Sequence, residues 1–230
     1  MAESRLESIR QNRFEKLAEL KERGINPYPS KFDKEDSIEE ALNSLNEKVK
    51  TAGRIMAVRE HGQLTFMDLQ DPSGEIQLWF AADDLKSDYE ILDLIDRGDF
   101  LGVIGEVVKT NTGQTSIKVD EFKILAKAIR PLPEKWHGLK DKEERFRKRY
   151  LEMIMNPEVR ELFVQKFIFW NTIRNFLIDK GFIEVHTPVL ETTTGGADAE
   201  EFVTHHNALD MELYLRISMG ELWQKRLMVA

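Results

Sequence analysis

Apolar and polar positions divide the chain into a helical N-terminal stretch, a stretch of strands and a second helical stretch. Residues 3–23 repeat apolar positions at helical spacing, and Gly24 follows where a helix would end. One helical stripe contains Leu6, Ile9, Arg13, Leu17 and Leu20. Basic and acidic residues nearly balance on the rest of this segment. That balance favours an amphipathic helix packed on its own protein over an arm that contacts nucleic acid.

From about Lys48 to Ala126 the period changes to the two-residue alternation of β-strands. Five such runs are separated by turn residues, and a segment with helical spacing lies between the third run and the fourth. The runs are 49–59, 63–70, 75–80, 100–109 and 115–125, and the helical segment contains Leu85, Tyr89, Leu92 and Ile95. This order predicts an OB-fold, a small barrel whose strand two and three face commonly binds oligonucleotides.

Alternation also predicts which side chains point away from the barrel interior. If the apolar row that contains Leu78 lines the interior, then Phe66, Gln77 and Trp79 lie on the outer face. An aromatic ring there can stack a splayed base, for ~1–3 kcal/mol per base, and an amide can read a base edge. The alternative is a pattern shifted by one residue, which would place Phe66 in the core.

The segment Arg130–Pro133 contains two prolines, which predict an extended boundary between domains. After Pro157 a long helix is predicted to run to about Lys180, with Gly181 as its terminator. Its aromatic residues are Phe163, Phe167, Phe169, Trp170 and Phe176. A small domain does not easily cover so much aromatic surface, so we expect either a large second core or a subunit interface.

Shorter elements are predicted beyond that helix. Residues 182–189 have the composition of a strand, and residues 202–206 and 214–218 have that of two shorter strands. Residues 221–229 resume a helical pattern.

Composition narrows the possible functions. The chain has 230 residues, of which 41% are hydrophobic and 32% charged, which suits two small domains and excludes wholesale disorder. Its 33 Lys and Arg stand against 41 Asp and Glu, for a net charge of -8. No global basic field therefore attracts nucleic acid, and such binding would need a local patch. The run Arg145–Arg149 is the best candidate for contact with phosphates.

The absence of cysteine excludes disulfides, a thiolate nucleophile and zinc bound by cysteine. The N-terminus is charged rather than apolar, and no stretch approaches the ~18 apolar residues of a membrane span. We therefore expect a cytoplasmic protein with no membrane partner.

A series of motifs in the second half carries a family resemblance. Gly181–Leu190 follows the pattern glycine, apolar, two free positions, apolar, two free positions, proline and two apolar residues, with Pro188 as the proline. This pattern resembles motif 1 of the class II aminoacyl-tRNA synthetases. It is followed by Gly195-Gly196-Ala197, by Phe202-Val203-Thr204-His205-His206-Asn207-Ala208-Leu209-Asp210, by Tyr214-Leu215-Arg216-Ile217, and by Glu221-Leu222 with Lys225-Arg226-Leu227. The series resembles the class II lysyl-tRNA synthetases, and the barrel and the proline linker match that family in the same order.

The resemblance implies an α+β fold, in which an N-terminal helix and a five-stranded OB-fold β-barrel precede the start of an antiparallel class II catalytic domain. The implied domains are an N-terminal helix and connector, an anticodon-binding barrel, a linker and an incomplete catalytic domain. Their ranges are 1–47, 48–129, 130–150 and 151–230.

The resemblance also implies a reaction and its partners. The family activates lysine with ATP to lysyl-adenylate and transfers it to the 3′ end of tRNA(Lys), with Mg²⁺ as cofactor, as a homodimer. Its motif 2 and motif 3 arginines would lie beyond Ala230, so no catalytic residue is assigned within this chain. We expect these 230 residues alone to be inactive, as a chain truncated before motif 2.

In the barrel, the resemblance assigns anticodon roles by position. Phe66 matches the stacking aromatic, Gln77 the reader of a base edge, and Arg54 and Arg59 their basic partners. Gln114 matches a hairpin position where relatives often carry glutamate.

In the second half, Gly196 and Glu221 match the lysine-binding glycine and carboxylate, and Phe167 and Pro188 lie in the implied dimer interface. His205 and His206 are expected to be structural, because no spacing around them completes a metal site.

Three alternatives remain open at this point. The first is a non-catalytic OB-fold module that binds tRNA. The second is an aspartyl- or asparaginyl-tRNA synthetase of the same subclass, which the run His205–Asp210 disfavours. The third is the paralogue that lysylates elongation factor P, disfavoured because that protein has no N-terminal barrel.

Overall fold

The computed structural model describes residues 2–110, 113–133, 141–193, 198–219 and 223–230, in two units. Unit 1 is Met1–Met155 and unit 2 is Asn156–Ala230. Unit 1 contains α1 (Ala2–Glu22), α2 (Ile38–Asn43), β1 (Lys48–His61), β2 (Leu64–Gln70), β3 (Glu75–Ala81), α3 (Ala82–Leu85), a 3₁₀ helix (Lys86–Leu94), β4 (Phe100–Lys109), β5 (Thr115–Ala126), α4 (Lys142–Arg147) and α5 (Arg149–Met155). Unit 2 contains α6 (Pro157–Asp179), β6 (Leu190–Glu191), β7 (Val203–His206), β8 (Met211–Leu215) and α7 (Lys225–Met228).

The five strands of unit 1 form a closed barrel in the order β1-β2-β3-β5-β4. β1 is long enough to pair with β4 through its first half and with β2 through its second half, and the β1–β2 pairing contains a bulge between Ile55 and Ala57. β3 and β5 pair in parallel, whereas the other neighbours are antiparallel. The structure confirms the predicted OB-fold and all five predicted strands.

The barrel interior contains the apolar row that alternation predicts. In β2 the buried residues are Thr65, Met67 and Leu69, and in β3 the row of Ile76, Leu78 and Phe80 is almost inaccessible to solvent. The residues between them in β2 are half-buried on the outer face. The predicted phase is therefore correct, and Phe66 does not belong to the core.

α1 packs on the barrel of its own unit, as the balanced charges predict. Leu20 is fully buried, and Arg13 is buried beside it on the same stripe. The Arg13 guanidinium donates to three backbone carbonyls, those of Ala128 at 2.7 Å, Arg97 at 2.9 Å and Arg130 at 3.2 Å. α1 is thus attached to the chain segment that leaves the barrel.

A group of buried charges lies next to this attachment. The Lys127 ammonium is fully buried and donates to the carboxylates of Asp96 and Asp99, the latter at 2.8 Å. Lys16 of α1 also pairs with Asp96, at 3.0 Å. Burial alone would raise the pKa of Asp96, but the hydrogen bonds and charges of Lys127 and Lys16 outweigh it and hold that pKa below its usual range.

Unit 2 contains the predicted long helix and a small sheet in the order β6-β8-β7. α6 ends before Gly181, whose φ of 86° requires the left-handed conformation that glycine adopts readily. The strand predicted over 182–189 is wrong: residues 182–188 pair with no strand among the described residues, and pairing begins only with β6. An apolar run becomes a strand only where a partner edge is available. The last predicted strand, 214–218, is displaced to Met211–Leu215.

Candidate nucleic-acid interface on the barrel

One row of outward side chains crosses the barrel from β1 to β5. Arg59 lies opposite Phe66, Phe66 opposite Trp79, and Trp79 opposite Lys118. We call these four residues the aromatic row. Because neighbouring strands are ~4.8 Å apart, the row places two aromatic side chains side by side between two cations.

Phe66 is the half-buried aromatic of β2 in this row. The His61 ring lies beside it with the ring centroids 6.2 Å apart and the planes inclined by 59°. Because the side chain is not enclosed, part of its ring remains available to a ligand. The predicted stacking position therefore has suitable surroundings.

A second row, two residues along each strand, contains the predicted base reader. Ala57 lies opposite Asp68, Asp68 opposite Gln77, and Gln77 opposite Ser116. We call these residues the amide row. Gln77 points outward as predicted, but it is only 9% exposed, because β5 closes the barrel against β3 at this level. Its Oε1 accepts a hydrogen bond of 2.9 Å from the Ser116 hydroxyl.

Arg59 links the two rows through an ion pair. Its guanidinium donates two hydrogen bonds to the Asp68 carboxylate, of 2.7 and 2.5 Å. The hydrogen bond to Asp68 raises the pKa of Arg59, although partial burial opposes the shift. Arg59 thus lies beside Phe66, as an anticodon role requires, but a carboxylate already compensates its charge.

Arg54 lies on a different part of the barrel surface. It pairs with Gln70 in β2 rather than with the aromatic row, four residues or ~13 Å along the strand from the level of Phe66. Its guanidinium stacks 4.3 Å from the centre of the Phe100 ring and donates to the Gly98 carbonyl at 3.2 Å. Burial lowers the pKa of Arg54. These contacts hold Arg54 against the end of β4.

Gln114 is exposed at the hairpin between β4 and β5. Its backbone exchanges hydrogen bonds with Thr110, in which the Thr110 amide donates to the Gln114 carbonyl at 2.9 Å. It precedes Ser116 of the amide row by two residues and lies just before β5 begins. The structure thus brings Arg59, Phe66 and Gln77 together on the outer face of β1, β2 and β3, places Arg54 apart from the aromatic row, and leaves Gln114 in the hairpin that precedes β5.

The sequence pattern alone does not single out Lys118 or Ser116. Lys118 lies with its ammonium 5.9 Å from the Trp79 ring centre and 3.0 Å from the Asp84 carboxylate. The alternation in β5 predicts that both side chains share one face. Their approach to β3, however, depends on the parallel β3 and β5 pairing, which joins residues far apart in the chain.

The basic run Arg145–Arg149 is paired with acids of its own unit. Glu143, Glu144 and the buried Glu152 accept hydrogen bonds from its four cations. Arg145 contacts Glu152 at 2.5 Å, Arg147 contacts Glu143 at 2.7 Å and Lys148 contacts Glu144 at 2.6 Å, while Arg149 also contacts Glu152. The run predicted to contact phosphates is therefore not an uncompensated positive patch.

In unit 2, the predicted lysine-binding residues Gly196 and Glu221 lie outside the described residues. Phe167 of α6 is 66% exposed, together with many of the helix's other apolar residues. Pro188 is exposed too, and its carbonyl accepts a hydrogen bond of 3.1 Å from Arg216. The surface predicted to form an interface is thus open in the single chain.

The two histidines have local partners in the turn between β7 and β8. His205 lies 3.3 Å from the Asp210 carboxylate, and His206 Nδ1 accepts a hydrogen bond from the Leu209 amide at 3.2 Å. In the part of the chain that the structure describes, no three His, Asp or Glu side chains are grouped so that they could hold a metal ion. None of the described helices is long and apolar enough to cross a membrane.

Two family descriptions match separate parts of the chain. Residues 49–125 match the OB-fold nucleic acid binding domain, and residues 141–230 match the class II tRNA synthetases (D, K and N). The first range coincides with the barrel, and the second contains the whole of unit 2 together with α4 and α5.

Curated relatives resemble the chain along its whole length. The lysine–tRNA ligase of Syntrophomonas wolfei is 50% identical across 100% of this chain and 48% of its own length. That of Carboxydothermus hydrogenoformans is 48% identical, again across 100% of this chain and 48% of the relative. That of Pelotomaculum thermopropionicum is 46% identical across 99% of this chain and 46% of the relative. The chain spans about half the length of the curated relatives it matches.

Proposed function

Because this chain belongs to the class II tRNA synthetases, we propose that it forms part of a lysine–tRNA ligase and reads the anticodon of tRNA(Lys) with its barrel. The matching family description covers the aspartate, lysine and asparagine enzymes. Relatives that are 46–50% identical and are named lysine–tRNA ligase favour lysine.

The observation that carries the anticodon role is the pair of rows on the outer face of β2 and β3. Phe66 supplies an accessible aromatic surface, and Gln77 supplies an amide one row away. Stacking holds a splayed base of any kind, and hydrogen bonds to its edge identify it. The two functions therefore come from neighbouring positions of one rigid sheet.

The whole ligase would join the lysine carboxylate to the α-phosphate of ATP with release of pyrophosphate. The terminal ribose hydroxyl of the tRNA would then attack the lysyl carbonyl, with release of AMP. Such steps depend on positioning and on neutralisation of phosphate charge, which Mg²⁺ bound with ATP would supply. Gly196 and Glu221 are proposed to contact the lysine substrate.

Phe167 and Pro188 are proposed to lie in the interface of a homodimer. α6 exposes an apolar surface that would be costly to leave in water. A second copy of the same chain would cover it symmetrically.

The test of the anticodon role is a titration of the purified chain with an RNA hairpin that carries the anticodon loop UUU. Phe66→Ala should weaken binding by ~1–3 kcal/mol, because it removes the stacking surface. The matched control is Phe202→Ala, which removes an exposed phenylalanine from unit 2 and should leave the affinity unchanged. Equal affinities for wild type and Phe66→Ala would remove Phe66 from the site.

A further inference from the structure

The Gln77 amide is held by a single side chain on the neighbouring strand. The Ser116 hydroxyl donates to Gln77 Oε1 at 2.9 Å, and Ser116 itself is completely buried. Gln77 and Ser116 are the first residue pair in the parallel pairing of β3 with β5. The contact is therefore fixed by the closure of the barrel rather than by two mobile surface side chains.

The other end of the same amide is free to bind a ligand. Gln77 Nε2 has no hydrogen-bond partner among the residues that the structure describes. Gln77 Nε2 is not fully enclosed by the surrounding side chains, so it retains access to solvent. The small exposed fraction of Gln77 therefore includes a hydrogen-bond donor.

Rotating the amide by 180° would not be neutral. Nε2 would then face Ser116, whose oxygen could accept from it, but the buried hydroxyl hydrogen would lose its acceptor. A buried donor without a partner is costly, so the observed orientation is favoured over the rotated one. Asp68, the other neighbour of Gln77 in the amide row, has its carboxylate occupied by Arg59.

We propose that Ser116 is a positioning residue that turns the Gln77 amide so that its NH₂ group faces the RNA and selects a carbonyl oxygen on the base. The proposal rests on the anticodon function proposed above. Uracil presents its O4 acceptor where cytosine presents its N4 amino donor. An amide locked as a donor accepts uracil at that position and rejects cytosine, whereas an amide free to rotate can bind either base.

The test compares four RNA hairpins titrated against the full chain, one with the loop UUU and three with a single U-to-C replacement. Wild type should bind UUU most tightly. Ser116→Ala should reduce the penalty for cytosine roughly tenfold at one loop position, by releasing the amide, and should leave the other two positions unchanged. The affected position identifies the base that Gln77 reads.

Thr51→Val is the matched control, because it removes another buried barrel hydroxyl, on the inward side of β1. It should leave all four relative affinities as in wild type. Far-ultraviolet circular dichroism establishes that each variant is folded.

A second variant tests the same orientation independently of Ser116. In Gln77→Glu, one carboxylate oxygen can still accept from Ser116 while the other presents an acceptor to the RNA. The preference at the position identified with Ser116→Ala should shift from uracil towards cytosine. Unchanged cytosine penalties in both Ser116→Ala and Gln77→Glu would overturn the proposal. Equal binding of all four hairpins by wild type would instead overturn the anticodon function on which it rests.

Discussion

Replacement of Arg13 tests how α1 is attached to the barrel. Arg13 is 5% exposed and donates to the carbonyls of Ala128, Arg97 and Arg130, with Asp96 4.0 Å from its Nε. Each hydrogen bond from a charged donor contributes ~1.5–3 kcal/mol, so the three bonds set an upper limit of several kcal/mol. Water can enter the space left by the side chain and bind the carbonyls, which reduces the loss. We expect Arg13→Ala to destabilise the docked α1 by about 2–4 kcal/mol.

Arg13→Lys refines this expectation. Lysine keeps the charge, but its ammonium cannot reproduce the planar fork that reaches carbonyls on two sides. It should therefore recover only part of the loss. Arg10→Ala is the matched control on the same helix, because the Arg10 side chain is 37% exposed and pairs with Glu7, three residues away on α1. Its effect should stay within about 0.5 kcal/mol.

Hydrogen exchange followed by mass spectrometry is the appropriate measurement, because a chain of two units need not unfold in one step. Amides of α1 and of residues 128–130 should lose protection in Arg13→Ala, while those of β2 and β3 should change little. If α1 amides in Arg13→Ala exchange with the same opening free energy as in wild type, Arg13 does not hold the helix.

Two further predictions concern other parts of the chain. The Asp71 carboxylate accepts from Lys34, Ser73 and Ile38, and these hydrogen bonds outweigh desolvation and lower its pKa to about 2; the resulting stability is complete above the unfolded value near 3.8 and is lost as pH falls towards 2. Asp71→Asn should therefore lower the free energy of unfolding by about 1–2 kcal/mol at pH 7 and make it less dependent on pH in the acid range. An unchanged dependence on pH in that range would contradict the assignment. Phe167→Glu should convert a dimer of the chain to monomer in sedimentation, because a carboxylate cannot be buried unpaired, whereas Phe202→Glu should not; a wild-type chain that is monomeric at all concentrations would refute the proposed interface.

The barrel could be predicted from the sequence because each of its strands is specified locally. Alternation fixes which side chains face inward, and the glycine turns at Gly62 and Gly113, both with positive φ, fix where strands end. The same alternation correctly places Phe66 outside the core. The same reasoning wrongly predicts a strand over 182–189. This segment has the composition of a strand, but no strand among the described residues pairs with it.

The site was predicted less completely than the fold, for a different physical reason. Phe66 and Gln77 lie on adjacent antiparallel strands joined by a short turn, so local pattern relates them. Ser116 reaches Gln77 only through a parallel pairing across 39 positions of the chain. Hydrophobic periodicity therefore cannot identify Ser116 as the residue proposed to orient the Gln77 amide.

Positive charge alone is a weak indicator of a phosphate site, because nearby carboxylates can compensate it. The run Arg145–Arg149 stands out in an acidic chain, but Glu143 and Glu144 precede two of its cations by four residues, which is one turn of helix. The third carboxylate, Glu152, lies three residues after Arg149 and is buried between two arginines. On the barrel, Asp68 compensates Arg59 in the same way, across a strand pair. A cluster of cations therefore predicts a phosphate site only if some of its cations have no carboxylate within one helical turn or directly across the sheet.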